Sequence, residues 1–224
     1  MTWLVAGLGN PGPRYEGTRH NVGWMCADEL ARRASATWKK PLLARAQVAE
    51  VRLRDLGVSA PMPGMSGGGV AAVSTSVGPA GVAVPPPPNP AEKLIIVKPL
   101  TYMNDSGIAV RKLAAFAKVP ADHIIVVHDE LDIDFGSLRL KLGGGDNGHN
   151  GLKSVRAHLG TGDYYRVRIG IGRPPGQQDA IDYVLGRFPK RDEADLGVTI
   201  AEAADAVLAI ITAGLAAAQN RFNR

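Results

Sequence analysis

The chain has 224 residues, 45% of them hydrophobic, enough for one sizeable core, and length favours a single domain over residues 1–224. A formal net charge of +5 and a pI near 9.5 favour a polyanionic partner such as nucleic acid, although many basic proteins bind none. No apolar run approaches the roughly 20 residues that span a bilayer, no charged segment precedes a long hydrophobic one at the N-terminus, and a lone Cys26 forms no internal disulfide; a monomeric cytoplasmic protein is expected, not a membrane protein or a disulfide scaffold.

In chain order, short apolar runs alternate with segments of helical period, as in an α/β domain. A first strand is expected at 3–8 and a helix at 21–33, where Cys26 suits the buried face and no flanking motif suggests a reactive thiolate. A strand at 46–53 follows. From Gly57 to Ala91 there is no charged residue and the stretch holds eight of the sixteen prolines, which reads as a Gly/Ser/Pro-rich exposed insertion without function. Within it only 81–84 has the makings of a short strand. Strands at 94–97, 124–127, 137–142 and 166–171 are interleaved with helices at 108–118 and 152–159. A last helix at 192–218 carries the stripe Leu196, Ile200, Ala203, Val207, Ile211, Leu215 and Ala218, so one face should pack on the domain.

Four polar motifs each follow a candidate strand: Gly7-Leu8-Gly9-Asn10-Pro11-Gly12 leading through Tyr15 to Thr18-Arg19-His20-Asn21, then Lys98 to Gly107, His128 to Asp132, and Leu142 to Lys153. In open α/β sheets the loops beyond the carboxyl ends of parallel strands share one crevice. An antiparallel strand would send its loop to the opposite edge, which stays open for the fourth motif. Gly7, Gly9 and Gly12 fall at the Gly-x-Gly-x-x-Gly spacing of a dinucleotide site, but that spacing alone is a weak signal and no such cofactor is expected. A structural turn is the stronger reading of Gly7, Gly9 and Gly12; the functional one brings the Asn10 amide close to a substrate.

His20 stands at the start of a helix, and Asp129, at the end of an apolar strand, is placed to accept the proton on one ring nitrogen and leave the other free to take a proton from water. No Gly-x-Ser-x-Gly elbow joins a candidate strand to a candidate helix, so direct attack by water is more economical than a covalent intermediate. A histidine beside Asn and Arg is, alone, more often a cap or surface residue. Asn10, Asn104 and Asn150 change that balance, because amides both donate and accept and so hold an ester carbonyl and peptide backbone without adding charge. Each alone reads as a cap or turn, Asn150 before Leu152-Lys153 especially. A metal site at His128-Asp129-Glu130 with Asp132 and Asp134 is not expected, since neighbours on a strand face opposite ways and no His or Cys spacing closes a coordination sphere. Glu130, Asp132 and Asp134 read as turn and solvent residues.

Together these blocks, extended by Arg166 to Gly172 and Tyr183-Val184-Leu185, resemble the bacterial peptidyl-tRNA hydrolase family over nearly the whole chain except Gly57 to Ala91. The resemblance implies one α/β domain with a mixed twisted sheet flanked by helices, and hydrolysis, without cofactor or metal, of the ester in peptidyl-tRNA left by stalled or aborted translation, which recycles the tRNA. It implies that His20 activates the water, that Asp129 supports it, and that Asn10 helps distinguish peptidyl-tRNA from free aminoacyl-tRNA. Tyr15, Tyr102, Asn104 and Asn150 would line the site for the peptide and terminal adenosine, with Met103 packing against the peptide. Arg139, Lys141 and Arg168 would contact tRNA phosphates, a salt-sensitive clamp that reads no sequence. The chain departs from the family's pattern at Tyr102, commonly Phe, at Arg139, usually Lys, and at the Asp146-Asn147 pair, whose negative charge lies near the implied phosphate path. A non-catalytic RNA-binding module would need the basic residues but not His20 and Asp129; a small-molecule or peptide hydrolase would not need Arg139, Lys141 and Arg168.

Overall fold

The apolar runs become the strands of one six-stranded sheet. The computed structural model describes residues 1–58 and 92–223, so the insertion read at 57–91, with its candidate strand at 81–84, lies outside the described residues apart from Gly57 and Val58. The strands are β1 (Thr2–Gly7), β2 (Ala46–Arg52), β3 (Lys93–Pro99), β4 (Ile124–Glu130), β5 (Leu138–Leu142) and β6 (Tyr165–Gly170), in the spatial order β2-β3-β1-β4-β6-β5. The four inner strands run parallel, and the edge strands β2 and β5 pair antiparallel with β3 and β6. The sheet is therefore mixed, in one α/β domain. Parallel strands covered on both faces read as unbroken apolar runs, and Leu4, Val5, Ala6, Ile124, Ile125, Val126 and Val127 are all fully buried.

Strand alternation sends these side chains to two cores. Val5, Ile125, Val127, Val167 and Leu140 pack under α1 (Val22–Arg33) and α5 (Glu193–Phe222). Leu4, Ala6, Val97 and Val126 pack under α2 (Ser106–Phe116) and α3 (Asn150–Leu159). Two positions let α1 approach closely: a Cβ on Gly7 would lie 2.1 Å from the Gly23 carbonyl oxygen, and one on Gly23 would lie 2.4 Å from that of Val127. Gly9 likewise leaves room for the Trp24 ring. The turn reading thus holds for Gly12, at φ +107°, whereas Gly7 and Gly9 are there for packing.

Two expectations need correction. The helix at Lys190–Phe222 is long and apolar enough to cross a membrane by length and composition, contrary to the reading that no run qualifies. Its apolarity has another use: Ile200, Ala203, Val207 and Ile211 are buried against the sheet core, and Asp205 pairs with Arg33 of α1. The helix also breaks at Gly214, φ +80°. The second correction is an omission, α4 (Ala180–Leu185), a helix of six residues with too few turns to show a period.

Candidate active site

The carboxyl ends of β1, β3 and β4 deliver the first three motifs to one edge of the sheet. After β1 the chain runs through Asn10 and Tyr15 to a 3-10 turn, Arg19–Asn21, that carries His20 into α1. Asn21 locks this loop, accepting from the Asn10 backbone N–H at 2.8 Å and donating to its carbonyl at 3.0 Å. After β3 comes the Met103–Asp105 turn, tied to the first loop because the Met103 N–H donates to Asn10 Oδ1 at 2.8 Å.

The fourth motif follows the antiparallel β5, the arrangement left open above. Leu142 pairs with Tyr165 at the start of β6, so the chain leaves at the edge remote from His20. It then returns along residues 143–149. The Arg166 guanidinium, buried at 2% exposure, donates to the Gly145 and Gly144 carbonyls at 2.6 and 2.8 Å. Asp146 stands between Arg156 and Arg166, 3.2 and 3.6 Å away. Its charge is spent on holding the loop rather than left toward a phosphate path. The loop ends at His149, which caps α3: its Nδ1 accepts from the Gly151 and Leu152 amides at 3.1 and 3.3 Å. His149, not Asn150, is therefore the cap, which leaves the Asn150 side chain for the cavity.

These loops enclose a cavity of about 660 Å³ lined by Asn10, Tyr15, His20, Tyr102, Met103 and Asn104 together with Asp129, His149 and Asn150. At its floor Asp129, 3% exposed, bridges two histidines. His20 Nδ1 lies 2.9 and 3.0 Å from its two oxygens, and His149 Nε2 lies 3.0 Å from Oδ1. Burial alone would raise the Asp129 carboxyl, but the charges and N–H bonds of His20 and His149 outweigh it and hold the carboxyl well below its ordinary value. The ionised carboxylate accepts the Nδ1 proton of His20 and so leaves Nε2 as the basic nitrogen of the neutral ring. Since two amides donate to His149 Nδ1, its proton is on Nε2. The ligand atoms of His20, Asp129 and His149 lie within 4.8 Å of one another, yet a His149 Nε2 that carries a proton cannot ligate without giving up its helix cap, so the group is built to hold protons rather than an ion.

The sequence-predicted residues divide in two. All eight from Asn10 to Asn150 meet at the cavity, with the Tyr15 and Tyr102 rings edge to face at 6.3 Å; Met103, 5% exposed, shows the cavity little of its side chain. Arg139, Lys141 and Arg168 do not line it. Cross-strand register pairs Arg139 with Arg168 and Lys141 with Arg166, which puts four cations on the face of β5 and β6 opposite the α5 core. Glu130 is no solvent residue: it is 6% exposed, and its Oε2 accepts from Arg168 Nε and Nη2 at 3.1 and 2.9 Å. His149 was missed among the site residues, although a histidine inside Gly148-His149-Asn150 was the signal for it. His128 is turned away, its Nδ1 donating to the Asp129 carbonyl at 2.7 Å. Cys26 is buried, which pushes its thiol up to about 12 and leaves it inert.

Loops converging at the carboxyl ends of parallel strands, around a carboxylate-oriented histidine and a set of amides, define a hydrolase of the single-domain α/β class. The family model for peptidyl-tRNA hydrolase matches residues 4–76 and 81–224, including most of the stretch that the sequence motifs left uncovered. The chain is 55% identical over 222 residues to a peptidyl-tRNA hydrolase of Cutibacterium acnes, covering 99% of this chain and 98% of that protein. To one of Streptomyces coelicolor it is 47% identical, covering 99% and 94%. A crystal structure of peptidyl-tRNA hydrolase in complex with N-propanol superposes with a TM-score of 0.74 at 28% identity, covering 98% of this chain and 93% of that one. The enzyme from Acinetobacter baumannii gives 0.72 at 28% identity, with 94% and 88% covered. The chain belongs to the peptidyl-tRNA hydrolase family, and it is an enzyme that hydrolyses peptidyl-tRNA.

Proposed function

We propose that His20 Nε2 removes a proton from a water that attacks the ester carbonyl joining peptide to tRNA, with Asp129 holding the ring in that tautomer. The observation that carries this is the His20 Nδ1 to Asp129 contact at 2.9 Å inside the cavity. Asn10 has its Oδ1 committed to the Met103 N–H, so its Nδ2 is the group left for a peptide carbonyl. That carbonyl is present in peptidyl-tRNA and absent from free aminoacyl-tRNA. Asn104 and Asn150 supply further amides for the ester and peptide backbone, and Tyr15, Tyr102 and Met103 flank the peptide and terminal adenosine. Arg139, Lys141 and Arg168 take tRNA phosphates, Arg168 exchanging Glu130 for one, so binding weakens with salt. The enzyme acts as a cytoplasmic monomer without cofactor or metal. A non-catalytic RNA-binding module would have no use for a carboxylate bridging two histidines.

The test is release of N-acetyl-amino acid from N-acetyl-aminoacyl-tRNA beside free aminoacyl-tRNA. Wild type should cleave only the blocked substrate, His20→Ala should lose about 100-fold or more in kcat, and Asp129→Asn should retain more activity than His20→Ala. Near-native turnover by His20→Ala removes the proposed base.

A further inference from the structure

We infer that α4 is the cavity wall that meets the side chain of the amino acid esterified to the tRNA, and that Arg19 is the positioning residue that holds this wall in place. The inference rests on the reaction proposed above and adds a source of substrate preference to it.

α4 cannot hold its place alone. Six residues are far too few for an independent helix, and none of its residues is buried. Its N-terminus is capped by Asp179, which accepts from the Ile181 and Asp182 amides, and Tyr183 Oη donates to the Ile171 carbonyl at 2.7 Å. Its C-terminal end is held by Arg19. The Arg19 backbone N–H donates to the Gly186 carbonyl at 3.0 Å, and Nη1 donates to the Tyr183 and Arg187 carbonyls at 3.3 and 3.0 Å. The guanidinium lies 4.1 Å from the Tyr183 ring centroid, and Thr18 bridges to Arg187. A cation is thus placed at the carbonyl end of the helix, where it meets the negative end of the helix dipole. Arg19 adjoins His20, so the wall is fixed to the same turn as the catalytic ring.

The cavity lining combines two chemistries. Besides the amides of Asn10, Asn104 and Asn150, it takes Ala180, Ile181, Val184 and Leu185 from α4, and Ile181 is 66% exposed. The amides are suited to ester and backbone groups, which every substrate shares. An apolar wall has nothing to offer those groups; it gains only from an apolar side chain, the part that varies.

The experiment compares N-acetyl-leucyl-tRNA with N-acetyl-glycyl-tRNA. For wild type the leucyl substrate should have the lower KM. In Arg19→Gln the ratio of leucyl to glycyl KM should rise about ten-fold, with the ratio of their kcat values unchanged; Arg19→Lys should fall between. Ile181→Ser should raise the KM ratio by a similar factor with Arg19 intact, which keeps the test available if Arg19→Gln fails to fold. A uniform change for both substrates, or a loss confined to kcat, would overturn the inference and make Arg19 a support of the His20 turn. Wild type inactive on both substrates would instead overturn the proposed reaction.

Discussion

His149 does two jobs through two ring atoms, and a substitution can separate them. Nδ1 caps α3, and Nε2–H donates to Asp129. Asparagine is a good N-cap but is too short to reach a carboxylate placed for Nε2, whereas alanine does neither. His149→Asn should therefore keep its melting temperature while kcat falls, and His149→Ala should in addition lose about 1 kcal/mol of stability. Equal kcat in wild type and His149→Asn would show that the donor to Asp129 is dispensable. His20, Asp129 and the three amides were legible because each closes a polar motif after a strand. His149 was passed over because Asn150 beside it was read as the helix cap, the role that His149 Nδ1 fills.

His128 makes a different prediction at the same scale. Burial first, and the nearby His149 next, lower its pKa well below the 6.5 ordinary for a histidine, and Nε2 has no partner among the described residues. It stays neutral in the fold but takes up a proton in the unfolded chain below pH 6.5. The unfolded state then binds more protons, so stability is fully present above that pH and is lost as pH falls, with a slope of up to about 1.4 kcal/mol per unit. Urea unfolding between pH 7 and 5 should show a shallower loss for His128→Gln than for wild type. Parallel lines would mean that another group titrates.

At the scale of elements, α1 sets the position of His20 by how deeply it sits on the sheet. A Cβ at Gly23 would lie 2.4 Å from the Val127 carbonyl oxygen and 2.5 Å from the Leu8 amide nitrogen, backbone atoms with no slack. Gly23→Ala should push α1 outward, costing about 1–3 kcal/mol and lowering kcat because His20 moves with the helix. Urea titration and turnover would check it, and a stable, fully active variant would sink it. The inner strands were readable to within three residues because parallel strands buried on both faces are unbroken apolar runs. The return of residues 143–149 was not readable, since it depends on β5 running antiparallel and on Arg166 reaching Gly144 and Gly145. α4 was hidden because nothing in it is buried.

For the whole molecule, the remaining question is whether residues 59–91 matter to the part that works. The chain leaves β2 through a 3-10 turn at Leu53–Leu56 and re-enters at Glu92, whose carbonyl accepts from the Leu53 N–H at 3.1 Å. Arg52 pairs with Lys93, the first residue of β3, whereas Met103 and Asn104 lie beyond Pro99, the last residue of that strand. The excised segment thus joins the sheet at the end remote from the cavity, between two points already held by the strand pairing. Replacing it with about six Gly and Ser residues shortens the connection between Val58 and Glu92 roughly five-fold, which by chain entropy is worth about 1.4 kcal/mol in favour of folding. Turnover of N-acetyl-aminoacyl-tRNA should be unchanged and the melting temperature equal or slightly higher. The family match across most of this stretch gives the test its edge: a collapse in melting temperature would make the segment a structural part of the domain, and a loss of turnover at constant stability would give it a share in binding tRNA.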